Sequence, residues 1–254
     1  MQRLENKTAV ITGAAGGIGS AAVQRFVDEG ANVLAVDLIE DQLKNVVNDI
    51  ASNQVSYCVA DVTSAEDNQK MADLAQERYG GIDCFLANAG IEGQIKSILE
   101  YDEAVFDQVM GVNVKGVWLG LRSVVPHMIS AGGGSIVITS SVAGLRGAPG
   151  ITPYSTSKHA VIGLMRSAAK EFAPLNIRVN TVNPSPVETR MMRSLEQGSN
   201  PADPEEAKSR ITSTIPLGRY ADPSEIANVM LFLCSCDASW ITGSVYAVDG
   251  GNTA

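Results

Sequence analysis

The stretch Thr8-Ala9-Val10-Ile11-Thr12-Gly13-Ala14-Ala15-Gly16-Gly17-Ile18-Gly19 decides the fold. A short apolar run leads through a glycine-rich turn straight into residues 17–29, where the apolar positions follow the helical period. Apolarity without alternation fits a strand covered on both faces. Glycine in the turn permits a tight reversal, close approach of a ligand and close packing of helix on strand. The helix that follows offers free N–H groups and positive potential, which suits a pyrophosphate held at Gly13, Gly17, Ile18 and Gly19. A glycine-rich turn is weak testimony alone; its place after the first strand and before a helix gives it weight.

Working outward, NVLAVD is followed by a helical segment at residues 40–51, VSYCVA by another at 65–79, and then comes IDCFLA. The second half adds a long helix over residues 103–131, a strand GSIVITS, a helix starting near Tyr154, a strand IRVNTVN and a final strand SVYAVD. Strand, helix, strand in steady alternation implies right-handed crossovers and a parallel sheet. The expected architecture is α/β, a single-domain doubly wound parallel sheet of about seven strands with helices on both faces. No linker or internal repeat divides residues 1–254. The polar stretch Arg190 to Pro204, broken by Gly198, Pro201 and Pro204, falls where such a fold opens its ligand crevice. It predicts a mobile substrate lid over about residues 190–213.

Asp37 ends the second strand 18 residues beyond Gly19, where a carboxylate accepts hydrogen bonds from both hydroxyls of an adenosine ribose. A 2′-phosphate there would meet like charge, and neither the turn nor residues 38–43 hold a lysine or arginine to offset it in direct contact with the turn. The expected cofactor is therefore NAD, with NADP disfavoured.

The 254 residues are 45% hydrophobic and 5% aromatic, ordinary for a water-soluble chain that buries its own core. A net charge of −9, without a basic run, argues against nucleic acid or an anionic membrane as partner. Cys58, Cys84, Cys234 and Cys236 are too few for a disulfide scaffold and lack zinc spacing, so they read as reduced, mostly buried thiols. His127 has no ligand at metal spacing, and no metal is expected. The N-terminus does not resemble a signal peptide and no apolar run has the length of a membrane span, which predicts a cytoplasmic location.

Further strings from Thr12 to Gly251 resemble the short-chain dehydrogenase/reductase family, whose fold is of the Rossmann type. Asp61-Val62 looks like the family's adenine contact, and Ala87-Asn88-Ala89-Gly90 is similar to its N-N-A-G string with alanine in the first place. Tyr154-Ser155-Thr156-Ser157-Lys158 matches Y-x-x-x-K, and with Asn113 and Ser141 the resemblance implies a catalytic tetrad. Ser140 and Ser141 point to opposite faces of an extended segment. The family's serine stands thirteen positions before the tyrosine, which selects Ser141. Asn183-Pro184-Ser185-Pro186-Val187-Glu188-Thr189 resembles the segment that holds the nicotinamide carboxamide. This adds Leu38, Pro184, Val187 and Thr189 to the cofactor contacts, beside Tyr154 and Lys158. Ser185 replaces the family's usual glycine, losing its freedom at positive φ and adding a hydroxyl to the substrate pocket. Gln94, Leu145, Ile151, Met191 and Met192 are the other pocket candidates, the methionines suiting an apolar substrate. The resemblance also implies a homotetramer, for which the apolar stretch Val229 to Leu233 and the final strand offer packing surface.

Tyr154 and Lys158, four apart, share one helix face. A tyrosine is a poor base at neutral pH, and the expectation is that the Lys158 ammonium and the positive nicotinamide together lower its pKa. Tyr154 then takes the alcohol proton while hydride passes to nicotinamide C4, and returns it in reduction. Ser141 hydrogen-bonds the same substrate oxygen. By resemblance, Lys158 binds the nicotinamide ribose and Asn113 holds a water leading to solvent. His159, one residue past Lys158, faces away from the site. The leading reading is interconversion of a small apolar or cyclic secondary alcohol and its ketone. The rivals are a 3-oxoacyl-thioester (acyl-carrier-protein) reductase, a non-catalytic NAD-sensing binding protein, and an epimerase or dehydratase.

Overall fold

The computed structural model describes residues 2–254. Its seven strands form one parallel sheet in the order β3-β2-β1-β4-β5-β6-β7. In chain order these are β1 (Thr8–Thr12), β2 (Asn32–Asp37), β3 (Val55–Val59), β4 (Cys84–Ala87), β5 (Gly134–Thr139), β6 (Ile177–Pro184) and β7 (Val245–Val248). The unalternating apolar runs become strands buried on both sides. Ala9 and Ile11 of β1 join one core cluster while Val10, between them, joins the other.

Helices supply the two outer layers, α1 (Gly17–Asp28), α2 (Glu40–Ile50), α3 (Ala65–Tyr79), α4 (Glu103–Met110), α5 (Val117–Ser130), α6 (Thr152–Phe172), α7 (Arg190–Ser199), α8 (Pro204–Thr212) and α9 (Pro223–Cys234). Phe26 of α1 and Met230 of α9 fill the first cluster, while Met71 of α3, Met128 of α5 and Met165 of α6 fill the second. Truncating one of these to alanine leaves a cavity that costs about 3–5 kcal/mol. Local signals set the helix starts. Ser64 accepts from Asp67 N at 3.2 Å to cap α3, and Asp222 with Glu225 forms a capping box on α9. The N-cap of α1 is Gly16, with no side-chain cap, so its first N–H groups remain open to the cleft.

Three expectations change. The helix foreseen over residues 103–131 is interrupted at Gly111–Gly116 by a π-helical turn that carries Asn113. One extra residue in a turn leaves apolar periodicity almost unaltered, so the pattern could not reveal it. The stretch expected as a mobile lid, read as broken by Gly198, Pro201 and Pro204, is mostly helical, as α7 and α8, because Pro204 stands at the first turn of α8 behind the Asp203 cap instead of breaking a helix. Within 229–233, Met230, Leu231 and Leu233 are buried in the chain's own core, so this stretch is spent within the fold. All four cysteines are free, and only Cys236 is exposed. Among the described residues no helix is long and apolar enough to cross a membrane.

Candidate active site

The strand order reverses between β1 and β4, and there the loops leaving the two strands diverge and open a crevice. Asn88 holds the mouth together. Its amide donates to Thr12 O at 3.1 Å and Gly13 O at 3.3 Å, and its Oδ1 accepts from Thr139 Oγ1 at 3.0 Å. Gly13 has φ +65°, and a Cβ on it would lie 2.8 Å from Ala89 Cα, so the turn needs glycine on two counts.

A cavity of about 1130 Å³ runs along the C-terminal ends of the strands. Every residue assigned above to the cofactor lines it, from Gly13, Gly17, Ile18 and Gly19 through Asp37, Leu38, Asp61, Val62, Asn88, Ala89 and Gly90 to Pro184, Val187 and Thr189. The Asp37 carboxylate accepts from Ala15 N at 2.9 Å and Leu38 N at 2.7 Å, which fixes it at the rim with lone pairs to spare. The next residues lining that end are Leu38, Ile39 and Gln42, none of them cationic. An uncapped helix N-terminus under a glycine turn and a fixed carboxylate at the rim are the donor and acceptor sets that an adenine dinucleotide requires, so the residues present fit NAD.

At the other end stand Ser141, Tyr154 and Lys158 on the cavity wall. Tyr154 and Lys158 lie one turn apart on α6, with Nζ 5.4 Å from the tyrosine ring centroid. Lys158 is buried, without a carboxylate beside it, and donates to Thr139 O at 2.8 Å. Burial pushes its pKa down to about 8. The Tyr154 phenol is pushed up to about 12 by burial, an effect that the Ser141 hydroxyl within hydrogen-bond reach partly offsets and the Glu92 carboxylate reinforces. The expectation that Lys158 lowers this pKa is thus not met by the chain alone, because the ammonium sits over the ring face and is committed to Thr139.

Ser141 caps a short turn at Val142–Gly144 by accepting from Ala143 N at 3.1 Å, which aims its hydroxyl into the cleft. Ser140 faces the opposite way and donates to Lys158 O at 2.9 Å. Asn113 lies behind the wall, 1% exposed. Its Oδ1 accepts from Ile91 N and its amide donates to Ile91 O, both at 2.9 Å, and the amide also reaches Ser157 Oγ at 3.0 Å. The π-helical turn swings this side chain onto residue 91 and α6 together.

Among the pocket candidates, Ile151, Ser185, Met191 and Met192 line the cavity. Gln94 and Leu145 do not and are exposed, since the chain turns away at Gly93 and again after the Val142–Gly144 turn. Ser185 is not among the residues at positive φ, so the missing glycine leaves no strain there. His159 is exposed, its Nδ1 2.9 Å from Ser155 O. Sequence reasoning passed over Thr139, Ser157 and Glu92. Glu92 was within reach, being a charged residue just after the N-A-G string, while the other two act through hydrogen bonds, Thr139 to Asn88 and Lys158 and Ser157 to Asn113 and Tyr154, that no motif encodes.

The family model described as enoyl-(acyl carrier protein) reductase matches residues 13–253. The chain is 41% identical over 251 residues to the 3-oxoacyl-[acyl-carrier-protein] reductase FabG of Thermotoga maritima, covering 98% of each. It superposes on the crystal structure of levodione reductase with a TM-score of 0.95 at 35% identity, covering 98% of each chain. A 3-ketoacyl-(acyl-carrier-protein) reductase from Brucella melitensis, complexed with NADH, gives 0.92 at 31% identity over 99% of this chain and 100% of that one.

Proposed function

The chain is an oxidoreductase belonging to the short-chain dehydrogenase/reductase family, and from that premise we propose that it interconverts a secondary alcohol and its ketone with NAD(H), using Tyr154 as acid and base. The observation that carries this reading is the convergence of Ser141 and Tyr154 on one wall of a cleft whose far end presents Asp37.

When bound, the dinucleotide supplies the hydride acceptor or donor and, when oxidised, a positive ring next to the phenol. Every other step belongs to the chain. Ser141 and Tyr154 take the substrate oxygen between their hydroxyls, fixing the carbon beneath it. A phenol at about 12 holds its proton firmly, which suits protonating a forming alkoxide; the cationic ring lowers the cost of ionisation in the reverse direction. Lys158, poised near 8 and bonded to Thr139 O, adds positive potential to the same wall and would help hold the nicotinamide ribose when the dinucleotide is bound. Asn113 keeps the Ile91 backbone and Ser157 in place behind them. The substrate half of the cavity is walled by Ile95, Ile151, Met191, Met192, Leu195 and Ile211, which favours an apolar or cyclic skeleton. Helices α7 and α8 serve as its lid, tied to the cofactor strand through Glu188, which takes Lys208 at 2.9 Å and also pairs with Arg193.

NADH absorbance followed with a panel of secondary alcohols tests the proposal, with Tyr154→Phe as control. Turnover in the parent and its loss in the variant, with NADH still bound, is the expected result. Equal turnover in both sinks it. A second reading, reduction of 3-oxoacyl thioesters, is favoured by the similarity to the Thermotoga maritima protein. A higher kcat/KM for acetoacetyl thioesters than for any simple ketone would select it.

A further inference from the structure

Glu92 lines the cavity near enough to Tyr154 for its charge to act on the phenol, and forms neither a hydrogen bond nor an ion pair with any described residue. Its backbone is nevertheless fixed on both sides. Ile91, before it, has its N–H and its carbonyl taken by Asn113, each at 2.9 Å. Gly93, after it, has φ +74°, and any Cβ there would collide with the Tyr101 hydroxyl, which in turn accepts from Gln94 N at 2.8 Å. The carboxylate is therefore presented to the cleft by a braced segment.

Nothing in the fold uses that charge. Of the cations lining the cleft, Arg146 is bonded to Asn252, Lys158 to Thr139, and Arg190 opens α7; Asp37 and Asp61 lie toward the nucleotide end. The field of Glu92 does reach the Tyr154 phenol and opposes its ionisation. A carboxylate is acceptor-only and repels anions across a poorly screened cavity.

Resting on the alcohol/ketone reading above, we propose that Glu92 is the specificity-determining residue of the substrate pocket, selecting neutral alcohols and ketones with a hydrogen-bond donor and rejecting those that carry a carboxylate or phosphate. The Glu92→Gln variant keeps the shape and an acceptor while removing the charge, and no bond of the fold is lost with it.

The test compares cyclohexanol, a cyclohexanediol and a hydroxycyclohexanecarboxylate as substrates of the parent and of Glu92→Gln, with binding of cyclohexanol and cyclohexanecarboxylate to both followed by saturation-transfer NMR. In the variant, kcat/KM for the carboxylate relative to cyclohexanol rises about tenfold, the diol keeps its advantage, and the alkaline rise of kcat for oxidation moves to lower pH. A merely structural role would change the melting temperature and leave the ratio and the pH profile where they were; that result overturns the proposal. If the parent turns over no alcohol but binds cyclohexanol in preference to the carboxylate, and the variant loses that preference, the reaction assigned above is wrong and the role of Glu92 stands. Equal binding of both probes to parent and variant overturns the role of Glu92 whatever the turnover.

Discussion

Asp37→Asn is the perturbation whose outcome follows most directly from the geometry. The carboxylate is fixed by Ala15 N and Leu38 N, so it cannot swing away from a ligand at the adenosine end. A 2′-phosphate of charge about −2 placed about 5 Å from it, at an effective permittivity of about 60, is repelled by roughly 2 kcal/mol. The ribose hydroxyls of NAD instead gain charge-assisted hydrogen bonds, which contribute about 1.5–3 kcal/mol beyond what NADP receives. The parent is then expected to prefer NAD+ by several hundredfold in kcat/KM, at 1.4 kcal/mol per tenfold. Asparagine keeps an acceptor and removes the charge, giving back the repulsion and about half of the hydrogen-bond advantage, so the preference falls by roughly a hundredfold. Initial rates with the two dinucleotides at one alcohol concentration measure this. A parent that favours NADP+, or a variant whose ratio moves less than about threefold, refutes the assignment of Asp37.

Tyr154→Phe is expected to lower kcat by about 10²–10⁴-fold while NADH affinity, followed by fluorescence, stays within about twofold. Lys158 has a folded pKa depressed from 10.5 to about 8, so the folded chain binds fewer protons than the unfolded one between those values and its stability rises with pH across that window. Relative to the parent, Lys158→Met is expected to gain about 3 kcal/mol at pH 7 and to lose that gain as pH approaches 10; urea unfolding at several pH values checks the sign. Glu188→Gln removes the negative charge that pairs with both Lys208 and Arg193, so faster proteolysis within residues 190–213 and a raised KM with little change in kcat are expected.

The sheet was readable because its central strands carry short apolar runs without alternation, as at Ala9–Ile11 and Val33–Val36, and that pattern has one cause, burial on both faces. Some helix starts were readable where a side chain does the capping, as Ser64 does for α3 and Asp102 for α4. The helices within residues 190–213 escaped because the same residues serve two purposes. Pro204 and the polar residues around it mark an interruption of an amphipathic pattern, yet Asp203 accepting from Glu206 N at 3.0 Å turns that interruption into a helix start. Several charged side chains of this polar stretch are engaged internally, since Arg193 pairs with the buried Glu196 at 2.8 Å and both Arg193 and Lys208 lie over the Tyr220 ring. Tyr220, on which both cations lie, comes well after them in the chain, and local composition cannot express that arrangement.

The site divides along the same line. Gly13, Asp37, Ser141, Tyr154 and Lys158, which line one cavity, could be named from the sequence because the duty proposed for each restricts its residue type and because the spacings follow from one turn of helix, one crossover or the family string. What escaped is the support beneath them. Thr139 joins Asn88 to Lys158 by giving its hydroxyl to one and taking a bond on its carbonyl from the other, so the nucleotide turn and the catalytic lysine hang on one strand end. Asn113 reaches Ile91 only because the helix widens at Gly111–Gly116, and by gripping Ile91 it also sets where Glu92 points. A one-residue widening therefore links the tetrad's most buried member to the pocket's one unpaired carboxylate. Chemistry and selectivity in this cleft share a brace, and a substitution at Asn113 would disturb both at once.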